Sequence, residues 1–253
     1  MDLFLSLPFE ILLSKILPMS QKSIDKSRLK GKIIAIDGPA GSGKSTTAKI
    51  LAERLGYVYL DTGAMYRALT YAASKKKIAP SEAKKLAELA RALPLRFGPA
   101  DGQNRVFVGE EDVTKQIRTP QITSIVSEMA SHREVRKAMV EKQKAIGKNG
   151  SIVAEGRDTT TVVFPDADIK VYMDASINER ARRRLLDMKA MGINTTIEEQ
   201  IKEINRRDGL DSGRKHSPLK RAAAAVVVDT TKLTIDDQVN RILEMLYELV
   251  NEK

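Results

Sequence analysis

Gly38 to Ser45 reads GPAGSGKS, the spacing G-x-x-x-x-G-K-[ST], directly after the β-branched run KIIAID at 32–37 and before a helical stretch reaching about Leu55. That spacing suits a phosphate cradle. Gly38, Gly41 and Gly43 free the backbone to turn its amides inward, with Pro39, Ala40 and Ser42 between them, and the helix that starts near Lys44 aims its positive end at the anion. Lys44 adds a cation able to follow β- and γ-phosphates, Ser45 adds a hydroxyl suited to Mg²⁺, and Thr46 closes the segment. A glycine-rich turn with no ligand would explain the glycines but not the adjacent lysine and serine.

Three further clusters carry chemistry. GYVYLDTG at 56–63 reads as a strand and turn, followed by helical spacing over 64–74. Positions 62 and 66, or 63 and 67, share a helix face, so Thr62, Tyr66 and Arg67 can converge on one ligand. A capped helix with Tyr66 in the core and Arg67 in solvent satisfies the same pattern. SIVAEGRD at 151–158 places Arg157 and Asp158 at the carboxyl end of a strand, where open α/β sheets bind ligands. RARRR at 180–184 and RRDGLDSGR at 206–214 are basic, with ten Lys and Arg against six Asp and Glu between 180 and 215. Solvated helix faces often look like this, but Arg/Asp alternation punctuated by glycine also suits a mobile lid that closes guanidinium forks over phosphate.

The elements that must hold these groups follow from alternation. Strands near 33–37, 57–61, 151–155, 169–173 and 225–229, each with a helical stretch after it, predict an α/β domain with a five-stranded parallel sheet. Leu233, Val239, Ile242, Leu243, Leu246, Leu249 and Val250 recur at helical spacing over 235–250 and read as core packing. Leu95–Gly98 and Arg105–Gly109 read as short strands about Asp101 and Gly102.

Composition narrows the chemistry. The 253 residues suit one domain with an insertion, and no cysteine is present, which excludes disulfides, thiolate metal sites and a thiol nucleophile. His132 and His216 are the two histidines, too few for a multi-histidine centre. A net charge of +10 favours anionic partners, but aromatics are only 4% with no Trp, so stacking on single-stranded nucleic acid is poorly served. Phosphorylated small molecules come first. Residues 1–30 read as an N-terminal extension and basic linker, expected to be dispensable or to mark an upstream start before Met19. No basic region precedes its apolar clusters, so neither a membrane span nor a secretory signal is expected, and a cytoplasmic setting fits.

Taken together, IDGPAGSGKST at 36–46, LDTGAMYR at 60–67, IRTP at 117–120, GRDTTTVVFPDA at 156–167, KVYMDAS at 170–176 and RDGLDSGR at 207–214 resemble the bacterial cytidylate kinases. The resemblance runs from about Lys32 to the C-terminus. It implies a three-layer P-loop fold over 31–253, with a small β-containing insertion for the monophosphate at about 82–131 and a lid at about 180–215. It also implies transfer of the ATP γ-phosphoryl group to CMP or dCMP in pyrimidine nucleotide metabolism, with Mg²⁺. By motif, ATP phosphates fall on Gly38–Thr46 and the acceptor phosphate on Arg67 and Arg157. Thr62, beside Asp158, falls in the acceptor site with Tyr66. Ser127 and Arg136 match the base-reading pair, Arg207 and Asp211 the sugar site, and Arg214 closes the stretch. Arg183 counts among the catalytic arginines, with the particular lid arginine that meets the transferred group left open. A monomer is expected. Thr62 stands where many relatives have serine, which keeps the hydroxyl and adds a methyl.

The mechanism can be argued without the resemblance. A phosphate acceptor has a second pKa of about 6 and is largely dianionic at neutral pH, so no general base is needed. Catalysis then rests on in-line alignment and on neutralisation by Lys44, Mg²⁺ and arginines. Other readings are another P-loop small-molecule kinase, a GTP-dependent switch, which needs an N-K-x-D motif this chain lacks, and a nucleic-acid-associated ATPase suggested by charge alone.

Overall fold

The computed structural model describes residues 26–100 and 103–251. After a 3-10 turn at Lys26–Leu29 come β1 (Ile33–Asp37), α1 (Lys44–Leu55), β2 (Val58–Asp61), α2 (Thr62–Lys75) and α3 (Ala83–Ala92). A three-strand insertion follows, β3 (Leu95–Ala100), β4 (Gln103–Val108) and β5 (Glu111–Asp112), then α4 (Pro120–Met129) and α5 (Arg133–Ile146). The chain returns through β6 (Ile152–Gly156), β7 (Ile169–Asp174), α6 (Ile177–Ala190), α7 (Ile197–Gly213), β8 (Val226–Asp229) and α8 (Ile235–Asn251).

β1 lies at the centre of a five-stranded parallel sheet of order β2-β6-β1-β7-β8. Both faces of β1 are buried, which is why its sequence is continuously apolar rather than alternating. One face packs α2 to α5 through Leu60, Met65, Leu69, Leu86 and Met139. The other packs α1 and α8 through Ile36, Leu51, Met173, Ile242 and Leu246. All three layers of the expected α/β sandwich are therefore present. The insertion is an antiparallel sheet, β3-β4-β5, seated on Ala64 and Ala68 of α2 by Val106, Val113 and Ile117.

The five main strands fall within a residue of their expected positions, and the C-terminal helix buries its predicted stripe, with Val239, Ile242 and Leu246 fully enclosed. RDGLDSGR, which the sequence places in the lid, is helical through Gly213. The Thr196–Glu199 capping box starts α7, and α7 packs along α6, which offsets the roughly 1 kcal/mol that each interior glycine costs. The end of the linker touches the domain. Leu29 packs on the α1/α8 face, and its carbonyl accepts a hydrogen bond from the Tyr57 hydroxyl. Residues 1–25, and Asp101 with Gly102, lie outside the described residues.

Candidate active site

The phosphate loop leaves β1 at its carboxyl end. A side chain on Gly38 is ruled out by position: its Cβ would lie 2.0 Å from the Met173 carbonyl oxygen of β7. Asp37, the residue before it, accepts hydrogen bonds from the amide and hydroxyl of Thr159 at 2.8 and 2.6 Å and of Thr160 at 2.7 and 2.6 Å. The loop's origin is thereby tied to the turn that follows Arg157 and Asp158. Lys44 is buried, and its ammonium donates to the Pro39 carbonyl at 2.6 Å and to Ser42 Oγ at 3.2 Å. Burial, with the nearby Arg157 cation, lowers its pKa to about 7 against the opposing pull of Glu155, Asp208 and Asp37. Ser45 and Thr46 face outward at the start of α1.

Ser45 donates to Glu155 Oε1 at 2.6 Å. Glu155 is buried near the end of β6, and burial, with the Asp61 charge, holds its carboxyl above the usual range despite Lys44, Ser45 and Arg157. Sequence reading passed over this residue because SIVAEG reads as an apolar strand. Its position one residue before the GRD motif, on the strand beside β1, was the available signal. Hydroxyl and carboxylate together form an all-oxygen donor pair at the loop's mouth, the type that a hard divalent cation with retained waters takes.

On the other side of β6 lies a dense guanidinium cluster. Asp61 caps α2 by accepting from the Ala64 amide at 2.7 Å and accepts from Arg67 Nη2 at 2.9 Å, with Arg118 of the IRTP motif 3.8 Å away. Burial alone would raise the Asp61 pKa, but Arg67 and Arg118 outweigh it and hold it below its ordinary value. Arg157 Nε donates to Asp211 at 2.9 Å. Arg136 pairs with Asp158 and lies 5.2 Å from the Tyr66 ring centre, with Arg214 3.9 Å from Asp158 and 3.6 Å from Asp211. Burial, with Arg157 close by, pulls Arg207 down to about 10. Among the described residues, the buried polar atoms left without a hydrogen bond include Tyr66 Oη, the Nε atoms of Arg67, Arg136 and Arg207, and Arg214 Nη2, which has only a 3.9 Å ion-pair contact to Asp158. Donors stranded in this way are costly and point to an anionic, hydrogen-bonding ligand.

The structure thus brings together Arg67, Arg136, Arg157, Asp158, Arg207, Asp211 and Arg214. Tyr66 is both a core residue and a wall of the cluster. Thr62 is buried, and its hydroxyl donates to the Glu155 carbonyl at 2.8 Å, leaving only its lone pairs for a ligand. Ser127 is buried on α4. Arg183 lies apart from this cluster and beside the phosphate loop, where a Cβ on Gly43 would stand 3.4 Å from its Nη1. Its guanidinium bonds Glu179 at 2.8 Å and the hydroxyl and carbonyl of Thr230 at 3.0 and 2.6 Å. Neighbouring positions on a helix diverge by about 100°, and it is Arg184 whose charge is felt by Arg207 and lies among those of Arg67 and Arg118.

A parallel sheet with a glycine-rich loop at its central strand and a guanidinium cluster beside it defines a P-loop α/β phosphate-binding domain. The cytidylate kinase family profile matches residues 34–248. The cytidylate kinase of Geobacter sulfurreducens is 45% identical over 219 residues, which cover 87% of this chain and 94% of that protein. That of Ligilactobacillus salivarius is 49% identical over 215 residues, 85% and 96% of the two chains. Among solved structures, shikimate kinase from Acinetobacter baumannii overlays at TM-score 0.43 and 14% identity, covering 88% of this chain and 98% of that one, a likeness too loose to bear on function. The chain belongs to the cytidylate kinase family.

Proposed function

We propose that this protein transfers the γ-phosphoryl group of ATP to CMP or dCMP, giving ADP and CDP or dCDP. The observation that carries the reading is the set of stranded guanidinium nitrogens around Arg67, Arg136, Arg207 and Arg214, across β6 from the phosphate loop.

The residues divide the work. Backbone amides of the loop from Gly41 to Thr46 and the Lys44 ammonium hold the donor's phosphates. Ser45 and Glu155 would hold Mg²⁺, whose charge offsets that of the β- and γ-oxygens. Arg67 and Arg157 grip the acceptor's phosphate, Arg207 and Asp211 meet its sugar, and Asp61 and Asp211 keep Arg67 and Arg157 aimed by the bonds already described. On the lid side, Arg184 faces the acceptor cluster while Arg183 stands beside Gly43 of the phosphate loop, so the two arginines flank the transferred group. At the far end, Asp158 and Arg136 form a buried acceptor–donor pair. Cytosine presents an amino donor beside ring acceptors, so this pair matches its edge, whereas uracil presents an acceptor at the 4-position. A phosphate nucleophile needs no base, and none of these groups has to remove a proton.

An ADP-release assay across the nucleoside monophosphates tests the reading. CMP and dCMP should support the fastest turnover. ATP consumption that is independent of acceptor, or that prefers a purine monophosphate, would overturn it.

A further inference from the structure

The loop and the lid meet at one residue that the phosphoryl-transfer scheme leaves unused. Asp208 of α7 accepts a hydrogen bond from the Ala40 amide at 3.0 Å through Oδ1 and pairs through Oδ2 with Arg180. Arg180, in the first turn of α6, donates from Nη1 to the Ala40 carbonyl at 3.1 Å and from Nε to the Ala175 carbonyl at 3.1 Å. Both backbone polar groups of Ala40 are therefore held by one ion pair, one partner from each lid helix. The fit is close on the next residue as well: a Cβ on Gly41 would stand 3.0 Å from the Arg180 carbonyl oxygen.

The position of Asp208 on α7 gives this clamp its consequence. Arg207 precedes it, and Asp211, which orients Arg157, lies one turn later on the same face. A rigid helix thus presents a phosphate-loop contact and two acceptor-site groups within five residues. Any shift of the loop that moves Ala40 moves the strut, and with it Arg207 and Asp211.

We propose that Asp208, braced by Arg180, is a positioning residue that couples the two nucleotide sites, so that filling the phosphate loop presets α7 for the acceptor. The inference rests on the acceptor assignment above, because it needs Arg207 and Asp211 to meet the monophosphate. In this assignment Asp208 acts through Ala40 and α7 rather than through a substrate contact. By linkage, the factor by which an ATP analogue tightens CMP binding equals the factor by which CMP tightens the analogue.

The test is calorimetric titration of CMP into the full chain, with and without a saturating non-hydrolysable ATP analogue and Mg²⁺, for wild type, Asp208→Ala, Asp208→Asn and Arg180→Ala. Wild type should show CMP tightened at least about fivefold by the analogue, the lower end of ordinary coupling. In Asp208→Ala that ratio should fall to within about twofold of unity, while the analogue's affinity measured alone changes by less than about threefold. Asp208→Asn keeps an oxygen for the Ala40 amide but loses the ion pair, and should retain an intermediate ratio. Adding Arg180→Ala to Asp208→Ala should lower the ratio no further, since both remove one device. A wild-type ratio near unity, or an undiminished ratio in Asp208→Ala, overturns the proposal. So does a loss in Asp208→Ala that comes entirely from weakened analogue binding, since that marks a local loop defect. Wild type that binds the analogue but not CMP in either state would instead refute the acceptor assignment, and the coupling with it.

Discussion

The Ser45 hydroxyl and the Glu155 carboxylate meet at 2.6 Å, joining the first turn of the helix after the phosphate loop to the end of the neighbouring strand. The contact places two hard oxygens where the loop opens. Glu155→Gln removes the charge but keeps the size. We expect the Mg²⁺ concentration for half-maximal activity to rise by about 10-fold or more, the scale for lost metal-site partners, with CMP KM at saturating Mg²⁺ little changed. A Mg²⁺ titration of initial rates decides the matter, and an unchanged midpoint would remove Glu155 from the metal site.

Arg157 is held by Asp211 between the donor loop and the acceptor cluster. Arg157→Ala should lower kcat/KM for CMP roughly 10³-fold, about 4 kcal/mol of transition-state stabilisation, the low end of arginine effects in phosphoryl transfer. ATP binding should be largely kept. Equilibrium binding of a fluorescent ATP analogue beside steady-state kinetics separates the two, and comparable losses in both would count against an acceptor role.

Adjacent arginines on α6 should separate cleanly. Arg184→Ala is expected to cut kcat by about 10²-fold or more, since its charge stands among Arg67, Arg118 and Arg207. Arg183→Ala should act less on kcat than on stability and ATP KM, because its guanidinium ties α6 to the Thr230 backbone after β8, beside Gly43 of the phosphate loop. Paired melting curves and kcat values give the answer, and a larger kcat loss in Arg183→Ala would reverse the assignment.

How legible these features were depended on how local their causes are. The five strands were readable because both faces of a parallel sheet are buried, so runs such as IIAID carry their own signal. The phosphate loop was readable because its chemistry occupies consecutive residues. Arg183 and Arg184 were not separable, because the helix face each takes is decided by packing against Thr230, 47 positions away from Arg183. Glu155 was hidden within an apolar run, and its role appears only when β6 is set beside β1. The clamp on Ala40 joins residues 168 apart, and no sequence pattern announces it. In RDGLDSGR the glycines weaken the helix locally, and packing of α7 on α6 overrides them.

Gly156 shows how tightly the acceptor site is built. A Cβ there would lie 2.3 Å from Thr62 Oγ1 and 3.0 Å from Thr159 Cγ2. Gly156→Ala must displace the Thr62 hydroxyl from the Glu155 carbonyl, so it should destabilise by about 2 to 3 kcal/mol through overpacking and a lost buried hydrogen bond. Thr62→Ala removes the obstructing atom. The double variant should therefore be less destabilised than the sum of the singles, and strict additivity in denaturant melts would show that the two positions do not collide.

Lys44 gives the pH dependence. Burial, with Arg157 nearby, lowers its pKa to about 7, so it is mostly protonated at pH 6 and mostly neutral at pH 8. Phosphates favour the charged form, so ATP binding above pH 7 must take up a proton, and affinity should fall as pH rises, approaching tenfold per unit. Between about pH 8 and 9 free ATP is almost wholly ionised, so uptake in that window belongs to the protein. Calorimetry in buffers of differing ionisation enthalpy should give nearly one proton taken up per ATP at pH 8. Lys44→Arg, with a cation that does not titrate there, should bind ATP with little pH dependence over the same window. No proton uptake in the wild type would mean that Lys44 stays charged in the protein, and the steep fall in affinity would then be absent.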